Sequence, residues 1–407
     1  MKKNLNIVGI IYILLVYLSV ATDRQGIYNV QYMSKYYIGI IICIFLFILL
    51  VLKDGNKIII NKKQLYIAKI MFIPILVAFF YSIIINGFNN IEYSGFYSRS
   101  FGLVAYCLLA IIQAYLVYSY FGKKAVKYTF IALVLSYFTS IIVAFKNEGV
   151  LEFINILTNN SYHGSVLEMH ELAPTIALIL FYLLYLAYMK KINSKKAAIY
   201  IGICLVIIIL SMKRIVFLTC GIVVILFLIL KRKNKNRLRY VTFFSIVLIL
   251  ISYIYIYCIK VGILYGFLDK YNINSMARTE LWSGISSQYD FSLMYMGHGL
   301  GFVSIWMDNN WRYLNINGLT QTTGLHNDIL KFYIDLGFVG NLVYMINLLN
   351  FNTKRIFKKI NRNSAMLYFV LIVLQILMWF TDVVSIYHNF QWIFYLIVFS
   401  LLSLEND

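Results

Sequence analysis

Apolar residues run along this chain in long blocks, and polar residues gather in the short stretches between them. The blocks lie near 5–21, 36–52, 66–86, 101–120, 128–145, 170–189, 197–212, 214–230, 240–259, 327–350, 365–382 and 390–404. Most approach the roughly 20 residues that carry a helix across a hydrocarbon core. Backbone in lipid must satisfy its own hydrogen bonds, so solid apolar blocks read as helices, and the lack of alternation argues against a barrel. The pattern predicts an all-α polytopic membrane protein with about twelve transmembrane helices. One segment breaks the rhythm. Residues 260–326, between the ninth and tenth blocks, are far longer than a connector requires. Long loops in compact proteins are usually functional, and this one is expected to carry short amphipathic helices. With no Gly/Ser linker, internal repeat or low-complexity tail in view, residues 1–407 read as a single integral membrane domain.

Composition agrees with the pattern: 61% of the 407 residues are hydrophobic and 13% are charged. The formal net charge of +20 raises the question of a nucleic-acid partner. Its distribution argues against one. Lys2–Lys3, Lys53–Lys63, Lys123–Lys127, Lys190–Lys196, Lys231–Arg239 and Lys354–Arg362 hold two thirds of the 36 Lys and Arg, in every second loop. That is the positive-inside signature, and it places both termini in the cytoplasm. Thirteen of the 16 acidic residues and all five histidines gather instead in outer segments or near the outer ends of helices. The five cysteines lie inside apolar blocks without metal-site spacing and read as small apolar fillers. The first block follows only "MKKN", with no clear cleavage site, and reads as a retained helix.

Chemistry is therefore expected at the outer face, where five stretches stand out. In "HNDILKFYIDLGFVG", 326–340, Lys331 and Asp335 are spaced to pair across one helical turn. Gly337 and Gly340 can admit a neighbouring helix, and His326 stands at the outer mouth. His326 either caps that helix end or handles a proton. In "SMKRIVFL", 211–218, Lys213 and Arg214 sit at a hairpin tip. Either Arg214 is held below the surface as a functional cation, or both side chains snorkel to headgroups. In "NSMARTELWSGI", 274–285, Met276, Leu281, Trp282 and Ile285 can form a face lying on the membrane. There Arg278 can stack on Trp282 and bind phosphate, or is an ordinary surface arginine. "GHGLG", 297–301, predicts a bent backbone around His298, and it lacks the strand and helix that flank a dinucleotide loop. "VLEMHELAP", 166–174, clusters Glu168, His170 and Glu171. Contacts to an acceptor sugar suit that cluster better than a metal does, since one short stretch supplies too few partners. No metal or cofactor is expected. Asp382 and His388 repeat the same outer-side polarity more weakly.

Together these residues resemble the O-antigen polymerase and ligase superfamily. Its outer-loop signature has His, then Asn, Ser or Gln, then after a fixed gap Gly, two residues, and Gly, Thr or Tyr. His326, Asn327, Gly337 and Gly340 match it, at the end of the large outer loop. Ser211 to Arg214 resembles a second element, and Arg278, Trp282 and Gly297 to Gly301 a third. The resemblance covers about residues 165–345 and departs from the family at "LEMHELAP", so no family role passes to Glu168 or His170.

The resemblance implies a bacterial cytoplasmic-membrane glycosyltransferase that acts on undecaprenyl-pyrophosphate-linked oligosaccharide at the outer face. Arg214 and Arg278 would hold the pyrophosphate leaving group and His326 would manage the acceptor hydroxyl, giving inverting, metal-independent transfer. Asn327, Lys213, Trp282, Glu168, His170 and His298 are candidate substrate contacts. The expected product is O-antigen or capsular polymer, with the bilayer and a chain-length regulator as partners. A ligase that passes the glycan to the lipid A core shares the same motif. A rival of another class is a flippase for lipid-linked oligosaccharide. It would place polar groups at the bilayer midplane, whereas here they crowd the outer side of the second half.

Overall fold

The computed structural model describes residues 7–21, 34–53, 61–89, 96–158, 171–211, 213–232, 236–273, 275, 277–314 and 324–404. All regular structure among the described residues is helical. A helix occupies each of the apolar blocks. Eight helical stretches are long and apolar enough to cross a membrane: Ser34–Lys53, Lys62–Gly87, Tyr97–Val143, Ser194–Ser211, Arg214–Arg232, Arg237–Lys260, Asp328–Lys359 and Arg362–Trp379. Tyr97–Val143 covers two expected spans in one run, because the turn Gly122–Lys124 between them is itself a helical 3-10 turn. Ile7–Ala21 and Leu172–Tyr188 are shorter apolar helices.

Two compact units are distinguished. The first holds Met1–Lys69, Leu108–Ile225 and Tyr387–Asp407. In it α1 (Ile7–Ala21), α2 (Ser34–Lys53), the start of α3 (Lys62–Asn89) and the end of α4 (Phe96–Phe121) join α5 (Ala125–Thr158), α6 (Leu172–Tyr188), α7 (Ser194–Ser211) and most of α8 (Arg214–Arg232). The closing helix α16 (His388–Ser400) packs on α2, α5 and α6 and is buried along its length.

The second unit holds Ile70–Cys107 and Leu226–Ile386. Its long helices are α9 (Arg237–Lys260), α13 (Asp328–Ile346) and α15 (Arg362–Trp379), with α14 (Asn352–Lys359) continuing α13 through a π turn at Asn347–Phe351. The large loop carries three short helices: α10 (Ile263–Lys270), α11 (Arg278–Ile285) and α12 (Phe302–Asn310). Leu281, Trp282 and Ile285 of α11 are 2%, 3% and 0% exposed. The apolar face expected on the membrane is thus spent inside the protein, against α9; Met276 lies outside the described residues.

The decisive feature of this unit is a break in α13. Gly337 has φ 71° and ψ −179°, outside helical space. A helical N–H bonds the carbonyl four residues back, so a break there strands donors and acceptors in a buried place. The loop 295–299 takes them up. The Phe338 N–H donates to the Tyr295 carbonyl at 2.8 Å, and the His298 and Gly299 N–H groups donate to the Ile334 and Asp335 carbonyls at 3.1 and 2.7 Å. The Tyr295 hydroxyl adds a bond to the Ile334 carbonyl at 2.9 Å. Backbone must approach backbone closely for this exchange. A Cβ on Gly337 would stand 2.2 Å from the Met296 carbonyl carbon, and one on Gly297 would stand 2.4 Å from the Gly337 nitrogen. Gly297 also has φ +84°. Both positions need glycine for conformation and for space. Gly337 therefore serves a loop rather than the expected helix, whereas Gly340 does face a neighbouring helix through Tyr81 of α3.

Gly337→Ala is expected to destabilise the protein by about 2–4 kcal/mol, since strain and backbone overlap act together. Gly340→Ala, whose Cβ would meet the Tyr81 ring at 3.2 Å, is expected to be nearly neutral. Thermal unfolding of the two purified variants in detergent separates these outcomes.

Candidate functional site

The polar residues of the 326–340 motif fall into distinct jobs. Asn327 is the N-cap of α13: its side chain accepts from the Leu330 N–H at 2.9 Å. Its amide donates to the Tyr255 hydroxyl of α9 at 3.2 Å. Asp328 is fully buried and accepts from the Ser385 N–H and hydroxyl, each at 2.7 Å. The Asp328 N–H donates to the Asp382 carbonyl at 3.2 Å. The start of α13 is thereby tied to the turn that follows α15.

Asp335 is fully buried as well, and both carboxylate oxygens are engaged. They accept from the Gly301 N–H at 2.9 Å and the Val303 N–H at 3.1 Å, the unsatisfied donors at the start of α12. A carboxylate at a helix N-terminus is favoured by the cap bonds and by the helix dipole. The expected pairing of Lys331 with Asp335 is corrected accordingly. Lys331, 4% exposed, is a buried cation whose charge acts on both Asp328 and Asp335.

His326 precedes the helix, in a left-handed conformation at φ 49°. It does not share a helical face with Gly337, and the capping is done by Asn327. Its neighbours are pinned on both sides. The Trp282 indole donates to the Leu325 carbonyl at 3.0 Å, and Asn327 is held by its cap and by Tyr255. A non-glycine residue held at positive φ is unusual and is over-determined by such anchors. The imidazole is about one-third exposed, with Nδ1 3.9 Å from Oδ1 of the nearly buried Asp382. A partly exposed imidazole backed by a carboxylate can take a proton and be stabilised as it does so.

Arg278 opens α11 and is half-buried, and its charge acts on the Tyr255 hydroxyl that Asn327 also touches. The expected stacking of Arg278 on Trp282 is replaced by an edge contact of Trp282 with the Tyr255 ring, centroids 6.1 Å apart. Arg278, Trp282, Asn327 and His326 are thus linked through Tyr255 and Leu325. Tyr255 was not legible in the sequence, since it is one of 35 tyrosines in this chain and carries no motif.

His298 belongs to the Gly-rich bend. Its Nε2–H donates to the Gln288 carbonyl at 2.6 Å, and its ring stacks on Phe302 with centroids 4.1 Å apart. The bend itself is confirmed by positive φ at Gly297, Gly299 and Gly301. Tyr81 and Ser82 of α3 and Ser100 of α4 hold it from below: the Tyr81 hydroxyl donates to the Met296 carbonyl at 2.8 Å, Ser82 accepts from the Leu300 N–H at 2.8 Å, and Ser100 donates to the Leu300 carbonyl.

The remaining candidates lie elsewhere. Lys213 and Arg214 belong to the first unit. The expectation for them is reversed: Lys213 is the buried cation, 9% exposed and 5.0 Å from the Tyr387 ring centroid, while Arg214 is exposed at the start of α8. Glu168 and His170 lie outside the described residues. Their neighbour Glu171 is buried in an ion pair with Lys35, and it accepts from the Asn389 N–H at 3.2 Å. Asn389 bonds Ser19 at 3.0 Å and Trp392 at 3.2 Å, and His388 bonds Gln113 at 3.0 Å. Sequence reasoning singled out Glu171 and His388 but not their partners in this polar group within the first unit, because Ser19, Lys35, Gln113 and Asn389 come from α1, α2, α4 and α16. Among the described residues, no three His, Cys, Asp or Glu side chains converge to hold a metal ion.

Burial holds His298 below its ordinary value of 6.5, opposed in part by the Gln288 carbonyl. A histidine kept neutral by the fold supports stability above its unfolded value, and that contribution is lost as pH falls through it. The thermal midpoint is therefore expected to drop as pH is lowered from about 7 to 5, and His298→Gln is expected to flatten that dependence. A pH series of melting curves on both proteins checks this.

No curated protein is found to match the chain. Residues 199–345 match the family model described as O-Antigen ligase, a segment that contains the whole His326–Gly340 motif, Arg278 and the Gly-rich bend. That match, over about a third of the chain, places this segment in the O-antigen polymerase and ligase superfamily.

Proposed function

We propose that the protein polymerises lipid-pyrophosphate-linked oligosaccharide repeats at the extracytoplasmic face of a bacterial cytoplasmic membrane. One observation carries this: within the matched segment, His326 is held at positive φ, partly exposed, with the Asp382 carboxylate behind it. An acceptor sugar hydroxyl attacks the anomeric carbon of the donor, and the bond from that carbon to the pyrophosphate oxygen breaks. His326 takes the hydroxyl proton, with Asp382 stabilising the imidazolium. The departing lipid pyrophosphate carries away the bonding electrons, and Arg278 offsets its developing charge. Attack opposite the leaving group inverts the anomeric centre.

Asn327 and Trp282, both buried, act as positioning residues for the backbone of His326 in this scheme. Arg214, an exposed cation of the first unit, is a separate proposal that Arg214→Ala reads on its own. Glu168, His170, Lys213 and His298 remain proposals as substrate contacts, and a chain-length regulator remains a proposal as partner. The description of the matched family favours a second reading, in which the acceptor is the lipid A core.

His326→Ala and Arg278→Ala are each expected to reduce polymer by about a hundredfold or more at normal expression, the usual scale for a general base or a charge-stabilising group. Gel profiles of surface glycan from complemented deletion strains provide the measurement. Single-repeat capped material in the deletion supports the polymerase. Uncapped core supports the ligase. Full-length polymer from both variants would overturn the assignment.

A further inference from the structure

The large loop descends along α9 before it meets the break in α13. At the end of α9, Lys260 pairs with Asp290 at 3.6 Å. The Phe291 ring then contacts Tyr257 and, one turn further in, Tyr253, with centroids 5.3 and 6.4 Å apart. The Tyr253 hydroxyl donates to the Phe338 carbonyl at 2.6 Å, and the Phe338 N–H donates in turn to the Tyr295 carbonyl. Lys260 and Tyr253 are about 10 Å apart along a helix that rises 1.5 Å per residue, so the loop dips by roughly that much. Two spanning helices show how deep this takes it. The run Asp328–Lys359 ends in Lys354, Arg355, Lys358 and Lys359, and α9 begins with Arg237 and Arg239; the positive-inside pattern assigns these ends to the cytoplasmic surface. Gly337 lies about 25 Å from Lys354 along the first helix, and Tyr253 about 21 Å from Arg239 along the second. A hydrocarbon core is about 30 Å thick, so both measures put the turning point of the loop inside its outer edge. On α3, whose Tyr81 holds the Met296 carbonyl, the exposed apolar residues Ile83 and Ile84 lie further out still.

The turning point is built for that depth. Residues 291–296, "FSLMYM", carry no charge. Leu293, Met294 and Met296 are 70%, 89% and 56% exposed. They line a groove of about 500 Å³ together with Val77 of α3 and Val339 and Val343 of α13, which are exposed as well. The apolar face of two spanning helices thus continues onto the tip of the loop. Non-helical backbone is tolerated at membrane depth only where protein satisfies its polar groups. Here the Tyr295 carbonyl is taken by Phe338, the Met296 carbonyl by Tyr81, and the Tyr295 N–H by the Ser292 carbonyl at 3.2 Å. A tip standing in water would leave three large apolar side chains side by side against solvent.

We propose that the tip of the large loop, residues 293–296, is re-entrant: it sits in the outer leaflet, and its partner is the acyl-chain layer of the bilayer. The membrane then holds the loop from one side, as the break in α13 holds it from the other.

The test uses the full-length protein in right-side-out membrane vesicles. The probes are a phosphatidylglycerol with a diazirine midway along one acyl chain and a membrane-impermeant maleimide. On the parent, photolabel mapped by mass spectrometry is expected at residues 293–296, at a yield comparable to that at Val339 and Val343. In Met294→Cys, the maleimide is expected to react at least about tenfold more slowly than in Ser287→Cys, an exposed position of the same loop, because apolar surroundings disfavour the reacting thiolate. The parent, with its five native cysteines, supplies the background. Equal maleimide rates at the two positions would overturn the insertion. A shielded Met294→Cys with no acyl-chain label on the parent would show protein covering the tip, and would overturn the lipid partner. If Met294→Cys fails to fold, the parent still decides: label at Val339 and Val343 without label at 293–296 would overturn the proposal.

Discussion

The second unit depends on one exchange of backbone hydrogen bonds. Helix α13 breaks at Gly337, and the groups the break strands are taken by residues 295–299 of the large loop. In an apolar interior each stranded group would cost on the order of 1–3 kcal/mol, so the break and the loop must form together. Two glycines make the approach possible and one carboxylate completes it. Asp335, two residues before the break, reaches the free N–H groups of α12 and fixes where that helix begins. The large loop is therefore not a lid resting on a bundle. It is spliced into the hydrogen bonding of a spanning helix.

The candidate site inherits its rigidity from that splice. From the break, α13 runs back to Asn327 and Asp328, which tie its first turn to α9 and to the turn after α15. His326 is the first residue beyond those anchors, and α11 delivers Trp282 to its other side. General acid–base chemistry benefits from a group whose backbone cannot drift, because misplacement by about 1 Å removes much of the rate. Of the polar residues in the motif, Asn327, Asp328, Lys331 and Asp335 are buried structural groups. His326 alone keeps partial access to the outside.

Local signals in the chain foretold much of this. Solid apolar blocks placed every long helix, since bilayer thickness imposes a length that a sequence displays directly. The alternating glycines of 297–301 announced a bend, because positive φ is written into residue type. Partnerships were not legible. The spacing of Lys331 and Asp335 favours an ion pair, but a helix N-terminus from another part of the chain outcompetes it for the carboxylate. Arg278 and Trp282 are likewise one turn apart, yet the indole finds a carbonyl at Leu325. At the 211–214 tip, burial selected Lys213 over Arg214, and nothing within those four residues distinguishes them. Each of these outcomes depends on contacts between residues tens of positions apart, and a single sequence does not record them.

Amide hydrogen exchange tests the spliced-loop claim most directly. The N–H groups of His298, Gly299, Gly301, Val303 and Phe338 bond to partners distant in sequence, not within a helix of their own. They are expected to be protected together in the parent protein and to lose protection together in Asp335→Ala, while Leu330, capped by Asn327, stays protected. Rapid exchange of the 298–303 amides in the parent, or loss at Val303 without loss at Phe338, would contradict it.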